Sequence, residues 1–561
     1  MKRTISIGIQ KFAKIRRENY FYIDKTDFIR QWWESGDEVT LITRPRRFGK
    51  TLTLDMVDKF FSISFQELAP AFHGLSIWNR ADFRQLQGRW PVIFLSFADI
   101  KETSFLTARR KICQTIRSLY DSFSFLCDSP LLSRTGRQFF RTVSPDMEDY
   151  AAALSLKVLS ECLARYYEKN VIILLDEYDT PLQEAWVSGY WNELSSFMQG
   201  LFNATFKTNP FLERAIMTGI TRVSRESIFS DLNNLKIVTT TSEEYADCFG
   251  FTREEVLSAL AEYELSDRAD EVKRWYDGFT FGSRSEIYNP WSITNFLDTG
   301  KTTAYWANTS SNRLISRLLQ GGSREIKASF ETLLRGGSLT TEIDEQIVYS
   351  QLDQDERAIW SLMLAAGYLK VRSHRTIADA SQEWREEYEL ALTNFEVTVM
   401  FRRMVTGWFG TAASDYNDFI KALLVGDVDA MNTCMNRIAL ETFSFFDVGK
   451  NQPERFYHGF VLGLLVDLSD RYHITSNRES GFGRYDICLE PKEQKDDAIL
   501  LEFKVFHPAR EKDLEDTAKA ALAQLEKKDY AAGLRQKGFP EEKIRRYGIA
   551  FQGKHVLIRE G

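Results

Sequence analysis

The sequence predicts an α/β protein with an N-terminal parallel sheet flanked by helices, a mainly helical middle region and a small C-terminal α/β domain. Three observations lead to this fold class. The chain of 561 residues is too long for one hydrophobic core, since domains usually contain about 100 to 150 residues. A strand, a basic turn and a helix follow one another between residues 38 and 60. Two short apolar segments separated by a polar turn lie between residues 483 and 505.

The composition is that of an ordinary globular protein and excludes several classes. Hydrophobic residues make up 43% and charged residues 27% of the chain, which argues against disorder and collagen. Uninterrupted apolar stretches such as Val171–Leu175 are far shorter than the ~20 residues of a membrane-spanning helix. The basic first 20 residues lack the apolar run of a secretory signal. We therefore expect a cytoplasmic protein that does not act at a membrane.

The net charge of −7 hides opposite local charges. Residues 1–50 contain 12 basic and 6 acidic side chains, and residues 502–561 contain 13 and 10. Residues 51–501 contain 47 basic and 63 acidic side chains, which argues against a nucleic-acid partner along most of that surface. The six cysteines and six histidines show neither zinc-site spacings nor a disulfide framework.

The first candidate site is the basic turn after the predicted strand 38–43. Its sequence is Arg44-Pro45-Arg46-Arg47-Phe48-Gly49-Lys50-Thr51. Gly49 lets backbone N–H groups approach a phosphate, Lys50 supplies a cation for the β- and γ-phosphates, and the Thr51 hydroxyl can ligate Mg²⁺. The usual pattern has a glycine where this chain has Arg44. A basic surface turn that happens to contain Gly-Lys-Thr is therefore the alternative.

A second strand supports the phosphate-loop interpretation. The run Val171–Leu175 is apolar on both faces, as in a central parallel strand, and Asp176 and Glu177 follow it. Open α/β sheets bind ligands at this end of their strands, where Asp176 could hold Mg²⁺ and Glu177 could orient or deprotonate an attacking water. Either motif alone could be structural, with the acids capping the next turn. The two motifs in this order predict a nucleotide site.

Residues 214–220 are predicted to form a third strand of the same sheet. This strand ends near the polar Thr218 and leads to Arg222 and Arg225. An arginine in this place could sense a phosphate group, although a surface loop would have the same composition.

Residues 251–440 are predicted to be mainly helical because apolar residues recur at spacings of three and four. Two aromatic strings lie in this region, Trp275-Tyr276-Asp277-Gly278-Phe279 and Tyr288-Asn289-Pro290-Trp291. They could stack on a base, but aromatic residues at these spacings more often belong to a core. We predict no chemistry for this region.

The second candidate site lies on a predicted antiparallel hairpin formed by residues 483–489 and 498–505. The two-residue period of a strand places Glu502 and Lys504 on one face. Charged side chains in so apolar a strand are costly unless they meet partners or a metal, and Asp486 supplies a second carboxylate. Two carboxylates bind Mg²⁺ through oxygen, and a lysine beside them can position or activate water for phosphodiester hydrolysis. A solvated edge strand with an ion pair is the alternative.

These motifs resemble a family of bacterial proteins that combine a predicted AAA-type ATPase-like domain with a PD-(D/E)XK nuclease-superfamily domain. The resemblance rests on residues 22–26, 44–51, 175–179, 218–224, 275–279, 288–292, 481–486 and 501–505. It covers nearly the whole chain. The string Arg-Pro-Arg-Arg-Phe-Gly-Lys-Thr is itself typical of the family, so the missing first glycine no longer argues against nucleotide binding.

The resemblance implies a fold and ligands for each part. It implies a P-loop NTPase domain at residues 1–250, a helical middle or lid region at 251–440 and a restriction-endonuclease-like domain at 441–561. The implied cofactors are ATP and Mg²⁺, and the implied partner is nucleic acid, with DNA preferred over RNA. The residues expected to bind the nucleotide are Arg46, Arg47, Phe48, Gly49, Lys50, Thr51, Asp176 and Arg222. The residues expected in catalysis are Glu177, Asp486, Glu502, Lys504 and Glu454. The expected metal ligands are Thr51, Asp176, Asp486 and Glu502.

Two predicted helices would flank the C-terminal hairpin. The resemblance makes Glu454, on the upstream helix, a candidate third acid, and Glu479 before the hairpin is its rival. Residues 514–530 are predicted to form the downstream helix. Its Gln524 and Tyr530 are similar to a family pair that packs beside the site and can touch the nucleic-acid backbone. A surface amide and a partly buried tyrosine are the simpler interpretation.

We therefore predict an ATP-binding protein, an ATPase, coupled to a Mg²⁺-dependent nuclease-like domain that acts on nucleic acid. The alternative is a nucleotide-dependent switch or scaffold whose nuclease fold binds nucleic acid or a partner without cutting. The presence of Asp486, Glu502 and Lys504 favours an active site. The sequence carries no signal for the oligomeric state.

Overall fold

The structure, a computed structural model, describes residues 2–222, 228–229, 232–306, 313–321, 323–344, 357–378, 384–408, 413–442, 461, 465, 468, 471–476, 479–480, 483–484, 486–493 and 495–561. The chain divides into two compact units. The first comprises Met1–Gly321 and Gly336–Thr398, and the second comprises Gly322–Arg335 and Val399–Gly561. The predicted middle region is thus shared between the two units, and its status as a domain of its own stays a prediction.

The described strands are β1 (Val39–Thr43), β2 (Val92–Ser96), β3 (Val171–Asp176), β4 (Leu212–Gly219), β5 (Leu235–Val238), β6 (Phe251–Thr252), β7 (Phe279–Phe281), β8 (Arg284–Tyr288), β9 (Leu339–Thr341), β10 (Leu369–Ala378), β11 (Trp384–Leu392), β12 (Tyr472–Ser476), β13 (Glu479–Ser480), β14 (Gly483–Arg484), β15 (Ile487–Pro491), β16 (Ala498–Val505), β17 (Ile544–Gln552) and β18 (His555–Glu560).

The described α-helices are α1 (Phe12–Arg17), α2 (Asp27–Ser35), α3 (Lys50–Phe61), α4 (Ala81–Arg84), α5 (Phe105–Ser122), α6 (Arg134–Thr142), α7 (Asp149–Tyr167), α8 (Thr180–Ser188), α9 (Trp191–Phe202), α10 (Arg253–Glu262), α11 (Ala269–Tyr276), α12 (Pro290–Thr299), α13 (Arg313–Gly321), α14 (Arg324–Leu334), α15 (Arg357–Ala365), α16 (Phe395–Trp408), α17 (Ala413–Val425), α18 (Val428–Thr442), α19 (Leu514–Lys527) and α20 (Ala532–Gln536). None of these described helices is long and apolar enough to cross a membrane.

The first unit is built around five parallel strands in the order β2-β3-β4-β1-β5. Strands β1 and β3 are both buried along their whole length, and for β3 the uninterrupted apolar run predicted burial on both faces. Strand β4 lies between β1 and β3 and pairs with both. Thr43, Asp176 and Gly219 therefore end three neighbouring strands at one edge of the sheet. This parallel sheet with its helices confirms the predicted fold class of the N-terminal part.

Helix α3 carries the end of the phosphate loop at its N-terminus. Its side chains Leu54, Val57 and Phe61 are buried. Asp55 on the same helix accepts a hydrogen bond of 2.8 Å from the backbone N–H of Phe12. These contacts hold the N-terminus of α3, where the helix dipole favours an anion, at the carboxyl edge of the sheet.

The middle region is mainly helical as predicted, but it also contains two three-stranded sheets that the sequence did not predict. Their orders are β6-β8-β7 and β10-β11-β9, and all their pairings are antiparallel. Strands β10 and β11 are rich in charged residues that pair across the sheet, such as Arg375 with Glu387 at 2.6 Å. Because both faces carry polar side chains, the apolar alternation that signals a strand is weak here.

The second unit contains a mixed sheet in the order β12-β15-β16-β17-β18. Strands β15 and β16 form the predicted antiparallel hairpin, with Ile487 opposite Leu501. Strand β17 runs parallel to β16 and is reached through α19. The predicted strand 483–489 is in two pieces, because β14 pairs with β13 and β15 starts only at Ile487. This mixed sheet confirms the predicted small α/β fold at the C-terminus.

The two faces of β16 pack against different cores. Ile499, Leu501 and Phe503 belong to a core that includes side chains of α17 and α18. Ala498 and Leu500 face a core that includes Leu525 of α19 and Tyr530. The alternation confirms that Glu502 and Lys504 share the face toward α19. The helix itself ends at Lys527, three residues earlier than predicted.

Candidate functional site

The phosphate loop connects β1 to α3 and contains two residues in the left-handed region. Gly49 has φ +84°, which only glycine adopts without strain. Arg47 has φ +65°, a conformation that costs a non-glycine residue about 1–2 kcal/mol. Left-handed residues in a turn direct neighbouring backbone N–H groups toward one point, as in anion-binding turns. The backbone of the loop is therefore suited to a phosphate even without the usual first glycine.

Lys50 is buried at the start of α3, with only 6% of its surface exposed. Its Nζ donates hydrogen bonds of 2.8 Å to the carbonyl oxygens of Arg44 and Pro45. Burial lowers the pKa of Lys50, and the nearby carboxylates of Glu177 and Asp176 oppose this shift. The ammonium group thus lies inside the loop, where a phosphate would provide the negative charge that burial calls for.

Asp176 joins the loop to the two strands beside it. Its Oδ2 accepts a hydrogen bond of 2.7 Å from the Thr51 hydroxyl, and its Oδ1 accepts one of 2.6 Å from Thr218. Only 1% of Asp176 is exposed, and this burial raises its pKa. The two predicted nucleotide-side metal ligands, Thr51 and Asp176, are therefore in contact. Both present oxygen, the ligand type that Mg²⁺ prefers.

Glu177 follows Asp176 with φ +50° and is half-buried. Its Oε2 accepts a hydrogen bond of 3.0 Å from the Thr180 hydroxyl at the start of α8. The left-handed backbone turns the chain sharply at the end of β3. Glu177 therefore lies at the same sheet edge as Asp176, as the sequence predicted from its position after an apolar strand.

Asp179 stabilises the same edge of the sheet, a role that was not predicted from the sequence. Its Oδ2 accepts hydrogen bonds of 2.9 Å from the backbone N–H groups of Ile220 and Thr221 and from the Thr221 hydroxyl. Burial raises the pKa of Asp179, and these donors oppose the shift. The carboxylate ties the end of β3 to the segment after β4, which leads to the half-buried Arg222. The string Leu175–Asp179 contained this residue, but no local spacing identifies its partners.

The side chains of Arg44 and Phe48 in the loop are buried in the core. Arg44, in place of the usual glycine, is fully buried and donates to the carbonyl oxygens of Thr43 at 3.0 Å and Thr239 at 2.5 Å. Its guanidinium also lies 4.5 Å from the ring centre of Phe281. Phe48 is buried, so only its backbone is available to a phosphate. Arg46 is half-buried and Arg47 is exposed, and both remain candidates for phosphate contact.

The second site lies next to Ile487 and Leu501, the pair that ends the ladder between β15 and β16. Asp486 directly precedes β15, and its Oδ2 accepts a hydrogen bond of 2.8 Å from the backbone N–H of Phe503 on β16. Glu502 directly precedes Phe503 on β16, and only 2% of its surface is exposed. Its Oε1 accepts a hydrogen bond from the side-chain amide of Gln524. Lys504, half-buried, shares the face of Glu502. The structure therefore brings Asp486, Glu502 and Lys504 to one part of the sheet.

The flanking helix α19 contributes to this site as the sequence expected for Gln524 but not for Tyr530. Gln524 orients the buried Glu502 carboxylate through its amide. Tyr530 lies beyond the end of α19 and is buried in the core with Cys488 and Leu500. Tyr530 is thus more deeply buried than the partly buried tyrosine of the simpler interpretation.

Two glutamates are the candidates for the third acid of the second site. Glu454 lies outside the described residues, and so does the side chain of Glu479. Across the described part of the chain, no group of three His, Cys, Asp or Glu residues is arranged to hold a metal ion. Asp486 and Glu502 offer carboxylate oxygens beside a lysine, a donor set that fits Mg²⁺ and does not fit the sulfur and nitrogen preference of zinc.

Two parts of the chain match known family models. Residues 6–229 match the family model described as predicted AAA-ATPase, AAA-ATPase-like. Residues 452–561 match the model described as PD-(D/E)XK nuclease superfamily. The chain is also 26% identical over 574 aligned positions to a protein of Azotobacter chroococcum mcd 1 described as an uncharacterized protein in the vnfD 5′ region. That alignment covers 98% of this chain and 96% of the relative.

Proposed function

We propose that the protein hydrolyses ATP at the first site and cleaves nucleic acid with Mg²⁺ at the second, since residues 6–229 match an AAA-ATPase-like model and residues 452–561 match a PD-(D/E)XK nuclease-superfamily model. The observation that carries this proposal is the burial of ionisable groups at both sites. Lys50, Asp176 and Glu502 are each more than nine-tenths buried. Burying such groups costs free energy, which is repaid when a phosphate or a metal ion pairs with them.

At the nucleotide site different residues bind the phosphates, hold the metal ion and activate water. Lys50 pairs with the β- and γ-phosphates, and the Arg46 and Arg47 side chains add positive charge beside the loop. Thr51 and Asp176 would hold the Mg²⁺ ion, which neutralises phosphate charge when bound. Glu177 orients and deprotonates the attacking water, and Arg222 senses the terminal phosphate across the sheet edge.

At the nuclease site Asp486 and Glu502 would hold the Mg²⁺ ion, which supplies Lewis-acid stabilisation of the phosphodiester when bound. Gln524 keeps the Glu502 carboxylate in one orientation through its amide hydrogen bond. Lys504 positions the attacking water and offsets charge on the phosphate. DNA is the preferred substrate in this proposal, and Glu454 is kept as the third acid. A cytoplasmic location remains part of the proposal.

The test of the nucleotide assignment is ATP binding and hydrolysis by the full chain beside Lys50→Ala. The control is Lys157→Ala, which removes a half-buried lysine of α7 in the same unit, whose Nζ donates a hydrogen bond to Thr208. We expect Lys50→Ala to lose ATP binding and Lys157→Ala to keep it. Equal binding by the wild type and Lys50→Ala would contradict the phosphate loop.

The test of the nuclease assignment is incubation of single- and double-stranded DNA and RNA with Mg²⁺, with and without ATP. Lys504→Ala is compared with Lys519→Ala, which removes an exposed lysine of α19. We expect cleavage by the wild type and Lys519→Ala and its loss in Lys504→Ala. Cleavage that Lys504→Ala leaves unchanged would overturn the assignment. Retained nucleic-acid binding without any cleavage would support the switch or scaffold alternative.

A further inference from the structure

The two aromatic strings of the middle region, to which the proposed function gives no part, lie against the phosphate loop. Trp306, 15 residues beyond the second string, donates a hydrogen bond of 3.0 Å from Nε1 to the carbonyl oxygen of Arg46. Asn289, in the second string, donates one of 3.3 Å from Nδ2 to the same oxygen. One peptide group of the loop thus receives two side-chain donors from residues more than 240 positions away.

These two donors act on the peptide that joins Arg46 to Arg47. In a trans peptide the N–H points away from the C=O, so the N–H of Arg47 points away from Trp306 and Asn289. Arg47 also holds the left-handed φ of +65° that a non-glycine residue avoids. The donors therefore hold the peptide in an orientation that the loop by itself would not favour.

The donors are themselves held by a buried network. The backbone N–H of Trp306 donates 2.6 Å to Oε1 of Glu396, and the Ser292 hydroxyl donates 2.8 Å to its Oε2. Glu396 is fully buried. The Oδ1 of Asn289 accepts from the backbone N–H groups of Trp291 and Ser292 and so caps helix α12. Helices α12 and α16 thereby fix both donors relative to the loop.

Side-chain packing adds to these hydrogen bonds. The Phe48 ring lies 4.8 Å from Phe279 of the first string, centre to centre, and the Arg47 guanidinium lies 4.4 Å from the ring centre of Trp291. Trp306 also lines a small cavity together with Arg46 and the segment after β4. Trp306 therefore borders the space between the phosphate loop and the sheet edge that holds Asp176.

We propose that Trp306 and Asn289 are positioning residues of the nucleotide site. They hold the Arg46–Arg47 peptide so that the N–H of Arg47 is presented to the nucleotide phosphates. Nucleotide affinity then depends on the middle region, and by thermodynamic reciprocity the bound nucleotide stabilises residues 279–306 in their place against the loop. This inference rests on the proposed binding of ATP, and it assigns a role to a region for which the sequence predicted no chemistry.

The experiment measures the affinity of the full chain for ATP by calorimetry in two variants. Trp306→Phe keeps an aromatic ring against Phe279 and Tyr368 but removes the N–H donor. Asn289→Asp keeps the oxygen that caps α12 but replaces the donor by an acceptor facing the Arg46 carbonyl. We expect a loss of affinity of about tenfold for Trp306→Phe and more for Asn289→Asp, because the latter also introduces repulsion.

Matched controls separate positioning from folding. Trp275→Phe alters a tryptophan of the same region that packs on Phe395, and Asn295→Asp places the same charge elsewhere on α12. Both are expected to keep the wild-type affinity. Thermal unfolding of each nucleotide-free variant and hydrogen exchange of residues 279–306 with and without ATP complete the set. We expect ATP to slow exchange there in the wild type.

Wild-type affinity in Trp306→Phe and Asn289→Asp would overturn the inference, even if their unfolding temperatures fall, since a purely structural role lowers stability alone. Exchange in residues 279–306 that ATP leaves unchanged would also overturn it. A wild type that binds no ATP would refute the proposed function itself and this inference with it. Calorimetry of the wild type alone reveals that outcome, before any variant is measured.

Discussion

The hydroxyl of Thr51 donates a hydrogen bond of 2.7 Å to Oδ2 of Asp176, across 125 positions of the chain. The contact connects the loop after β1 with the end of β3, although β4 lies between these two strands in the sheet. Thr218 at the end of β4 donates to the other oxygen of the same carboxylate. The end of the phosphate loop and the acidic strand end therefore meet through one buried group, on which the first prediction depends.

Asp176→Asn is expected to weaken the Mg²⁺-dependent part of ATP binding at least tenfold, because an amide is a poorer metal ligand than a carboxylate. Affinity is measured with Mg²⁺ and with EDTA in the wild type and the variant. The difference between the two conditions should shrink in Asp176→Asn. If Mg²⁺ strengthens ATP binding equally in both proteins, Asp176 does not hold the ion.

Asp176→Asn also makes a pH prediction. Burial raises the pKa of Asp176 in the folded protein above its usual value of 3.8. The folded state therefore binds more protons than the unfolded state in the interval above 3.8, and this carboxylate lowers stability as pH rises through it. Asp176→Asn has no carboxylate at this position and so does not lose this stability as pH rises. The wild type should be less stable relative to Asp176→Asn at pH 7 than at pH 4, as followed by thermal unfolding, and a reversed order would contradict the prediction.

Lys50→Met is expected to raise the stability of the nucleotide-free protein at pH 7 by about 1 kcal/mol while abolishing ATP binding, because the buried ammonium is replaced by an apolar chain of similar length. Burial lowers the pKa of Lys50 below 10.5. The cost of the charge is full below the folded pKa and disappears as pH rises toward 10.5. The stability difference should therefore shrink between pH 7 and pH 10. A variant less stable than the wild type at pH 7 would show that the loop carbonyls already compensate the charge.

Gln524→Ala is expected to lower the rate of Mg²⁺-dependent cleavage by about 10- to 100-fold, the usual effect of removing a group that orients a metal ligand. The Mg²⁺ concentration for half-maximal rate should rise, since the Glu502 carboxylate loses its amide donor. Gln536→Ala, at the exposed end of α20, is the control. Equal rates for the two variants would mean that Gln524 serves packing alone.

Gly219→Ala is expected to destabilise the first unit by about 1–3 kcal/mol through steric overlap. A Cβ at this position would lie 2.6 Å from Cε1 of Tyr178 and 2.8 Å from Oδ1 of Asp179. ATP hydrolysis should fall as well, because Asp179 ties the segment after β4 to the site. The control Gly200→Ala lies inside helix α9, where the nearest atom is 3.8 Å away. It should instead add about 0.5–1 kcal/mol, since alanine favours helix over glycine. Thermal unfolding distinguishes the two signs.

Local pattern was sufficient for the parts of the fold that depend on neighbouring residues. The apolar run Val171–Leu175 predicted a doubly buried strand, and β3 is one. The period of two placed Glu502 and Lys504 on one face, and the two cores on either side of β16 confirm it. The charged strands β10 and β11 were not predicted, because they are stabilised by cross-strand pairs of charged residues. Such pairs produce no alternation of apolar and polar residues in the sequence.

The order of the residues was enough to predict which runs are buried and that the phosphate loop precedes the acidic strand end. Three features became visible only in the folded chain: β4 lies between the loop and that strand, Arg44 is buried against Thr239, and Asp179 holds the segment after β4. The fold alone also placed the donors of Trp306 and Asn289 on the carbonyl of Arg46. The difference is one of range along the chain. Period and propensity act over a few residues, whereas these hydrogen bonds join groups about 40 to 260 positions apart that meet only when the sheet and its flanking helices pack.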